Sequence, residues 1–196
     1  MPMLRYFSRT QSEQDEIIMQ LSGLGYTFPS LWEESAREEA AERVASVMET
    51  RGMKYMNILD DHGFNEETMN AFTLQWGIKG IFYTDYSNYA GYKGQILWSN
   101  DVPVVSARYR LWADIGGCDV RSIAKSINNA PTSIFEEDAY SFVIVHAWSG
   151  LNGEGELVSG GDTMAAVEEL ISLLDSDVEV VSASEFMNRI LNNLAP

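Results

Sequence analysis

The sequence predicts an α/β protein in which parallel strands alternate with helices, bent into an incomplete or distorted (β/α) barrel. Three observations carry that expectation. Six short apolar runs with strand character are separated by stretches of helical period, with one interruption, which is the pattern of a parallel sheet with helical crossovers. Trp, Tyr and Asp crowd the ends of several of these runs, as they do at the C-terminal face of barrel enzymes. Six strands are few for a closed barrel, so the closure is expected to be partial. At 196 residues the chain is read as one domain, 1–196, able to bury about 70% of its unfolded surface.

The elements follow in chain order. Residues 1–15 are mixed polar and charged, a start expected to fray. Residues 17–21, Ile-Ile-Met-Gln-Leu, read as the first strand. A glycine turn leads to Ser30-Leu31-Trp32-Glu33, which has the form of a capping box. The helix it opens runs to about Thr50, with Ala36, Ala40, Val44, Val47 and Met48 inward, and Arg51-Gly52 as its stop. Residues 54–59 are a buried strand ending in Asp60-Asp61-His62-Gly63, and Asn65 caps a helix to about Gln75. Residues 78–83 form the next strand, followed by a Tyr- and Gly-rich loop through Trp98. Residues 102–107 are a strand with Pro103 near its start, where a missing donor does least harm. Asp119 caps a helix over 120–128. Residues 141–147 form a strand apolar on both faces, and a glycine-rich loop spans 151–161. Asp162 or Thr163 starts a helix through about Leu174, with Met164, Val167, Leu170, Ile171 and Leu174 as its inner stripe. Residues 178–181 are the last strand, and Ser182-Ala183-Ser184-Glu185 opens the final helix.

Charge excludes one class of partner. The formal net charge of -16 repels phosphate backbones, and no Lys/Arg cluster offsets it, so no nucleic acid is expected. No apolar run is long enough for a membrane span, and residues 1–10 lack the apolar core of a signal peptide. Cys118 is the single cysteine, which rules out an intrachain disulfide. Its place ahead of a helix permits a lowered thiol pKa, but a half-buried structural cysteine is the simpler reading.

The chain is organised around residues 22–29, Ser-Gly-Leu-Gly-Tyr-Thr-Phe-Pro, set between strand and helix. Gly23 and Gly25 permit positive φ or close backbone approach, and Pro29 fixes one exit torsion. A dinucleotide loop does not fit, because Phe28 takes the place of the third glycine and no acidic ribose partner is evident. Gly23-Leu24-Gly25-Tyr26-Thr27-Phe28-Pro29 instead resembles the signature of the GxGYxYP family, whose members are named as glycoside hydrolases associated with bacterial sugar processing. Phe28 stands where the signature has its second tyrosine, so one hydroxyl is missing. The segments 78–83, 98–108, 142–149 and 178–186 are similar to the family's C-terminal domain in the same order. The resemblance implies a carbohydrate partner, a secreted or cell-surface setting, and a longer parent protein with an N-terminal domain that this chain lacks.

Under the parallel-sheet expectation, residues that follow the strands share one rim. Glycosidic cleavage needs two carboxyl groups across the bond, one protonated and one ionised. Asp60 or Asp61, facing Asp85 from a neighbouring strand, supplies such a pair as catalytic candidates. Tyr26, Trp98, Arg108, His146 and Trp148 are the candidate substrate contacts, with Trp98 and Trp148 as flat platforms for sugar faces. Structural readings stand beside each role: aspartates in turns, a strand-end histidine bonded to backbone, arginines paired to the acid excess. No cofactor and no metal are expected. Asp60-Asp61 loosely resembles the first motif of metal-dependent polysaccharide deacetylases, whose seven-stranded barrels the expected fold is similar to. Their second motif, two histidines four apart, is absent, since His62 and His146 are distant in sequence. The alternative from a different class is a non-catalytic carbohydrate-binding or structural domain, which needs the aromatics and not the acids.

Overall fold

The computed structural model describes residues 9–13, 15–23, 25–61, 64–85, 93–112, 117–146 and 162–196. Its main sheet holds β1 (Tyr55–Asp60), β2 (Gly80–Asp85), β3 (Ile96–Ser99) and β4 (Val102–Ser106), in the order β1-β2-β4-β3. β1, β2 and β4 are parallel, and β3 runs antiparallel to β4. A second sheet pairs β5 (Tyr109–Leu111) with β6 (Val143–Val145) in parallel. The five helices described are α1 (Glu34–Arg51), α2 (Glu66–Thr73), α3 (Val120–Asn128), α4 (Thr163–Ser172) and α5 (Ala183–Leu194).

Every residue of β1 and β2 is buried, because helices cover both faces of the main sheet. On one face, Met56, Ile58, Ile81, Tyr83 and Val104 pack against Ala41, Val44 and Met48 of α1 and Met69 and Phe72 of α2. On the other, Tyr55, Phe82 and Val105 meet Met187 and Ile190 of α5. The two-stranded sheet builds its own core from Leu111, Ile123, Ala124, Ala166 and Leu170, against α3 and α4.

Local chemistry sets the helix ends. Asn65, Asp119, Asp162 and Ser182 each accept a first-turn amide, and Gly52 ends α1 in the left-handed region at φ 69°. The inner face of α1 is rotated from the expected one: Arg37 and Ala41 point inward while Ala36 and Val47 are exposed. α4 likewise buries Ala166 and Leu170 and leaves Met164 and Ile171 exposed.

Four expectations are corrected. The sheets do not close, and no barrel forms among the described residues. Residues 17–21 contribute one isolated bridge, Met19 to Met56, in place of a full strand. Residues 178–181 form no strand and join neither sheet among the described residues. The stretch before Trp98, read as loop, contains β3. A run of Ile, Leu and Trp is too short to show period, and its antiparallel pairing rests on the turn at Asn100 and Asp101, both at positive φ.

Candidate functional site

The glycine turn is bound along the outer edge of β1. The Met19 amide donates to the Tyr55 carbonyl at 3.0 Å, and the Asn57 amide donates to Met19 at 2.7 Å. The chain then turns through Leu21 and Ser22, both at positive φ, and the Ser22 amide donates to the Asn57 carbonyl at 2.8 Å. Beyond this point a side chain continues the ladder. The Ser22 hydroxyl accepts from the Leu59 amide at 3.1 Å and lies 3.3 Å from the Leu59 carbonyl and 3.1 Å from the Thr27 carbonyl. Ser22 is 0% exposed. Replacing it with alanine is expected to cost about 2 kcal/mol, because the Leu59 amide is left buried without its acceptor. Urea unfolding of Ser22→Ala measures the loss.

One further contact anchors the turn. The Ser30 hydroxyl donates to Asp60 Oδ1, and the Ser30 amide donates to Oδ2 at 3.3 Å. Asp60 Oδ1 also accepts the Asp61 amide at 2.9 Å. This overturns the capping box at Ser30–Glu33. Residues Pro29–Leu31 form a 3-10 turn, and α1 starts after Glu33 with no side-chain cap. A buried carboxylate acceptor draws Ser30 away from the exposed helix end. Tyr26 projects from the turn, 58% exposed, with its ring edge-on to Phe28 at 6.0 Å.

The register pairs Asp60 with Asp85 on adjacent parallel strands, so the two candidate acids are neighbours in the last row of the sheet. Strand alternation sends both side chains to the face of Ile58 and Tyr83, which α1 and α2 cover. Asp60 is fully buried and Asp85 nearly so. Asp61 follows the strand end and is half-buried.

The opposite face carries a cavity of about 310 Å³. Its walls are Ile18, Gln20 and Leu21, then Asn57, Leu59 and Thr84, then residues 142–146. Asn57 donates its side-chain amide to the Phe82 carbonyl and the Thr84 hydroxyl, both at 3.0 Å. His146 is part of the cavity wall, with its ring edge-on to Trp112 at 5.5 Å. Burial holds its pKa below 6.5, and Arg110 pushes it the same way. Arg110 lies over the Trp112 ring, 5.8 Å from its centroid.

Other expected contacts sit elsewhere. Trp98 pairs with Pro103 and packs against the α5-side core. That places it at the far end of the sheet, five residue rows or about 17 Å from Asp85. The Arg108 guanidinium is held by Asp138 at 2.8 Å and by the carbonyls of Gly94 and Tyr140, clamping the β4–β5 link to residues 137–140. Trp148, His62, Tyr86 and the 151–161 loop lie outside the described residues. No cluster of three metal-ligating side chains occurs among the described residues, and no described helix is long and apolar enough to cross a membrane.

The turn, the parallel core and their order along the chain have a counterpart in a known family. The model for the GxGYxYP putative glycoside hydrolase C-terminal domain matches residues 2–190. The chain belongs to the GxGYxYP family. The fold of this GxGYxYP domain is similar to the crystal structure of a putative hydrolase from Bacteroides thetaiotaomicron VPI-5482, at TM-score 0.83 and 27% identity over 98% of this chain. The chain spans 36% of the length of that protein. No curated protein matches it.

Two parts of the site escaped the sequence reading. Ser22 lay inside the recognised turn, but its role needs a left-handed serine beside β1, which composition does not reveal. Asn57 and Thr84 sit mid-strand, where alternation was the available signal: a polar residue facing away from Met56 and Ile58 marks a second, wetter face.

Proposed function

We propose that this chain is a carbohydrate-binding domain of a glycoside hydrolase, with sugar held in the cavity between β1, β2 and β6. Support comes from the chemistry of its walls. Gln20, Asn57, Thr84 and His146 offer donors and acceptors for hydroxyls, while Phe142 and Ile144 offer apolar contact for CH-rich sugar faces. The observation that carries the binding role is the placement of the acids. Asp60 and Asp85 sit on the helix-covered face, and Asp60 is engaged by the Ser30 hydroxyl and amide and by the amide of Asp61. Cleavage then draws on carboxyl groups from the remainder of a longer protein, in keeping with the one-third coverage of the Bacteroides hydrolase.

The test is an NMR titration with a panel of methyl glycosides and short oligosaccharides. Gln20→Ala and His146→Ala are each expected to weaken binding about fivefold to tenfold, one hydrogen bond's worth. Absence of any saccharide-dependent shift at the cavity residues rejects the assignment.

A second reading keeps hydrolysis within the chain. It rests on Asp61, which is half-buried just past β1, with Asp85 at the end of the neighbouring strand. Under it, Asp61→Asn and Asp85→Asn each lower turnover of an aryl glycoside by about 10²–10⁴-fold, with the melting temperature held. Unchanged turnover in both variants removes this pair.

A further inference from the structure

Asn57 and Thr84 line the cavity from adjacent strands, and the bond between them fixes what each can offer. Asn57 donates from its side-chain nitrogen to the Phe82 carbonyl and to the Thr84 hydroxyl, both at 3.0 Å. A backbone carbonyl only accepts, so the orientation of the carboxamide is set. Both amide protons are taken, and Oδ1 is left to accept. The Thr84 hydroxyl receives the Asn57 proton, so its own proton is left to donate. No described residue fills either role. The two side chains are more than nine-tenths buried, at 7% and 4% exposure.

We propose that Asn57 and Thr84 are the specificity-determining pair of the cavity, and that its ligand is a single uncharged sugar ring bound through a free hydroxyl. This rests on the carbohydrate reading of the cavity. A hydroxyl gives its proton to Asn57 Oδ1 and takes the Thr84 proton on its oxygen, so one group satisfies both side chains. Exchanging that hydroxyl for hydrogen leaves a buried acceptor and a buried donor unmet. The loss falls on that sugar position and not on the others.

Size and charge narrow the ligand further. A volume of about 310 Å³ is at the small end of ligand pockets, room for one ring rather than a run of them. Beside Asn57, Thr84, Gln20 and His146 the walls are Ile, Leu, Phe and Val, with no Lys or Arg among them. The neighbouring arginines stand outside the walls: Arg108 is held by Asp138 at 2.8 Å, and Arg110 lies over the Trp112 ring. A carboxylate, sulfate or phosphate on the sugar would enter without a fixed cation beside it, against a net charge of -16. Uronates and phosphorylated sugars are therefore rejected.

NMR titration of the unaltered protein tests this with methyl glucoside, galactoside and mannoside, then with the monodeoxy forms and the uronate of the one that binds tightest. One monodeoxy form is expected to bind about tenfold or more weakly while the others stay near the parent, and the uronate to lose at least about tenfold. In Thr84→Val the monodeoxy difference shrinks to about threefold or less, and Thr84→Ser, which keeps the hydroxyl, retains it. Equal binding of every monodeoxy form overturns the pair without recourse to a variant, and so does a difference that stays at full size in Thr84→Val. A uronate as tight as its hexoside overturns the selection for uncharged rings. Oligosaccharides that bind where no methyl hexoside does overturn the single-ring reading. In each of these results the shifts at cavity residues leave the cavity as the sugar site. A saccharide panel that shifts no cavity residue overturns the carbohydrate reading itself, and this inference with it.

Discussion

Gly23→Ala is expected to destabilise the protein by about 3 kcal/mol and lower its melting temperature by about 6–12 °C. Two terms add. Gly23 sits at φ +80°, a region that costs an L-residue about 1–2 kcal/mol. A methyl there would also meet Val44 Cγ2 at 2.3 Å and Cγ1 at 2.8 Å. Val44 is almost fully buried in the α1 core and stiff at χ1, so it has little room to move. Gly25→Ala provides the control. At φ +115° it shares the backbone strain, but nothing lies within 4 Å of the added methyl. Its loss should therefore be smaller, and thermal melts of the two variants isolate the steric part. Equal losses would show that Val44 yields.

Asp60→Ala is expected to cost about 3 kcal/mol, since three donors lose their acceptor in a fully buried place. A double-mutant cycle with Ser30→Ala should return a coupling of about 1 kcal/mol or more, because the two side chains share a bond. The same variant decides between roles. A structural anchor shows as a lower melting temperature, and a catalytic acid as lost turnover at unchanged stability. The second result would return Asp60 to the catalytic pair and remove the argument for a purely binding domain.

Elements specified by their own residues were legible in the sequence. Asn65, Asp119, Asp162 and Ser182 cap the helices predicted for them, since a short acceptor and an amide two or three residues on need no distant partner. β1, β2 and β4 announced themselves by continuous apolar runs that match burial on both faces. Non-local competition hid the rest. Ser30 has the residue it needs at Glu33 for a capping box, yet it bonds a carboxylate thirty positions away. Residues 178–181 have strand composition yet pair with no strand among the described residues. For the site, gathering all strand-end residues onto one rim ignored side-chain parity. Asp60 and Leu59 are consecutive and face opposite ways, so the acids and the cavity share a sheet end but not a face. The membership itself was legible from the glycine turn, because a family signature is a local string.

The way the turn runs along β1 also governs association. The outer edge of a sheet is a template for any incoming chain, and proteins guard it. On β1 the Asn57 amide and carbonyl are bonded to Met19 and Ser22, and the Leu59 amide to a serine hydroxyl. That serine then folds the chain away, leaving no continuous row of donors for a guest strand to read. The GxGYxYP turn is thus an edge guard as well as an anchor. Strand addition, and any templated aggregation of the folded protein, is directed to the opposite margin of the main sheet, where β3 offers four residues.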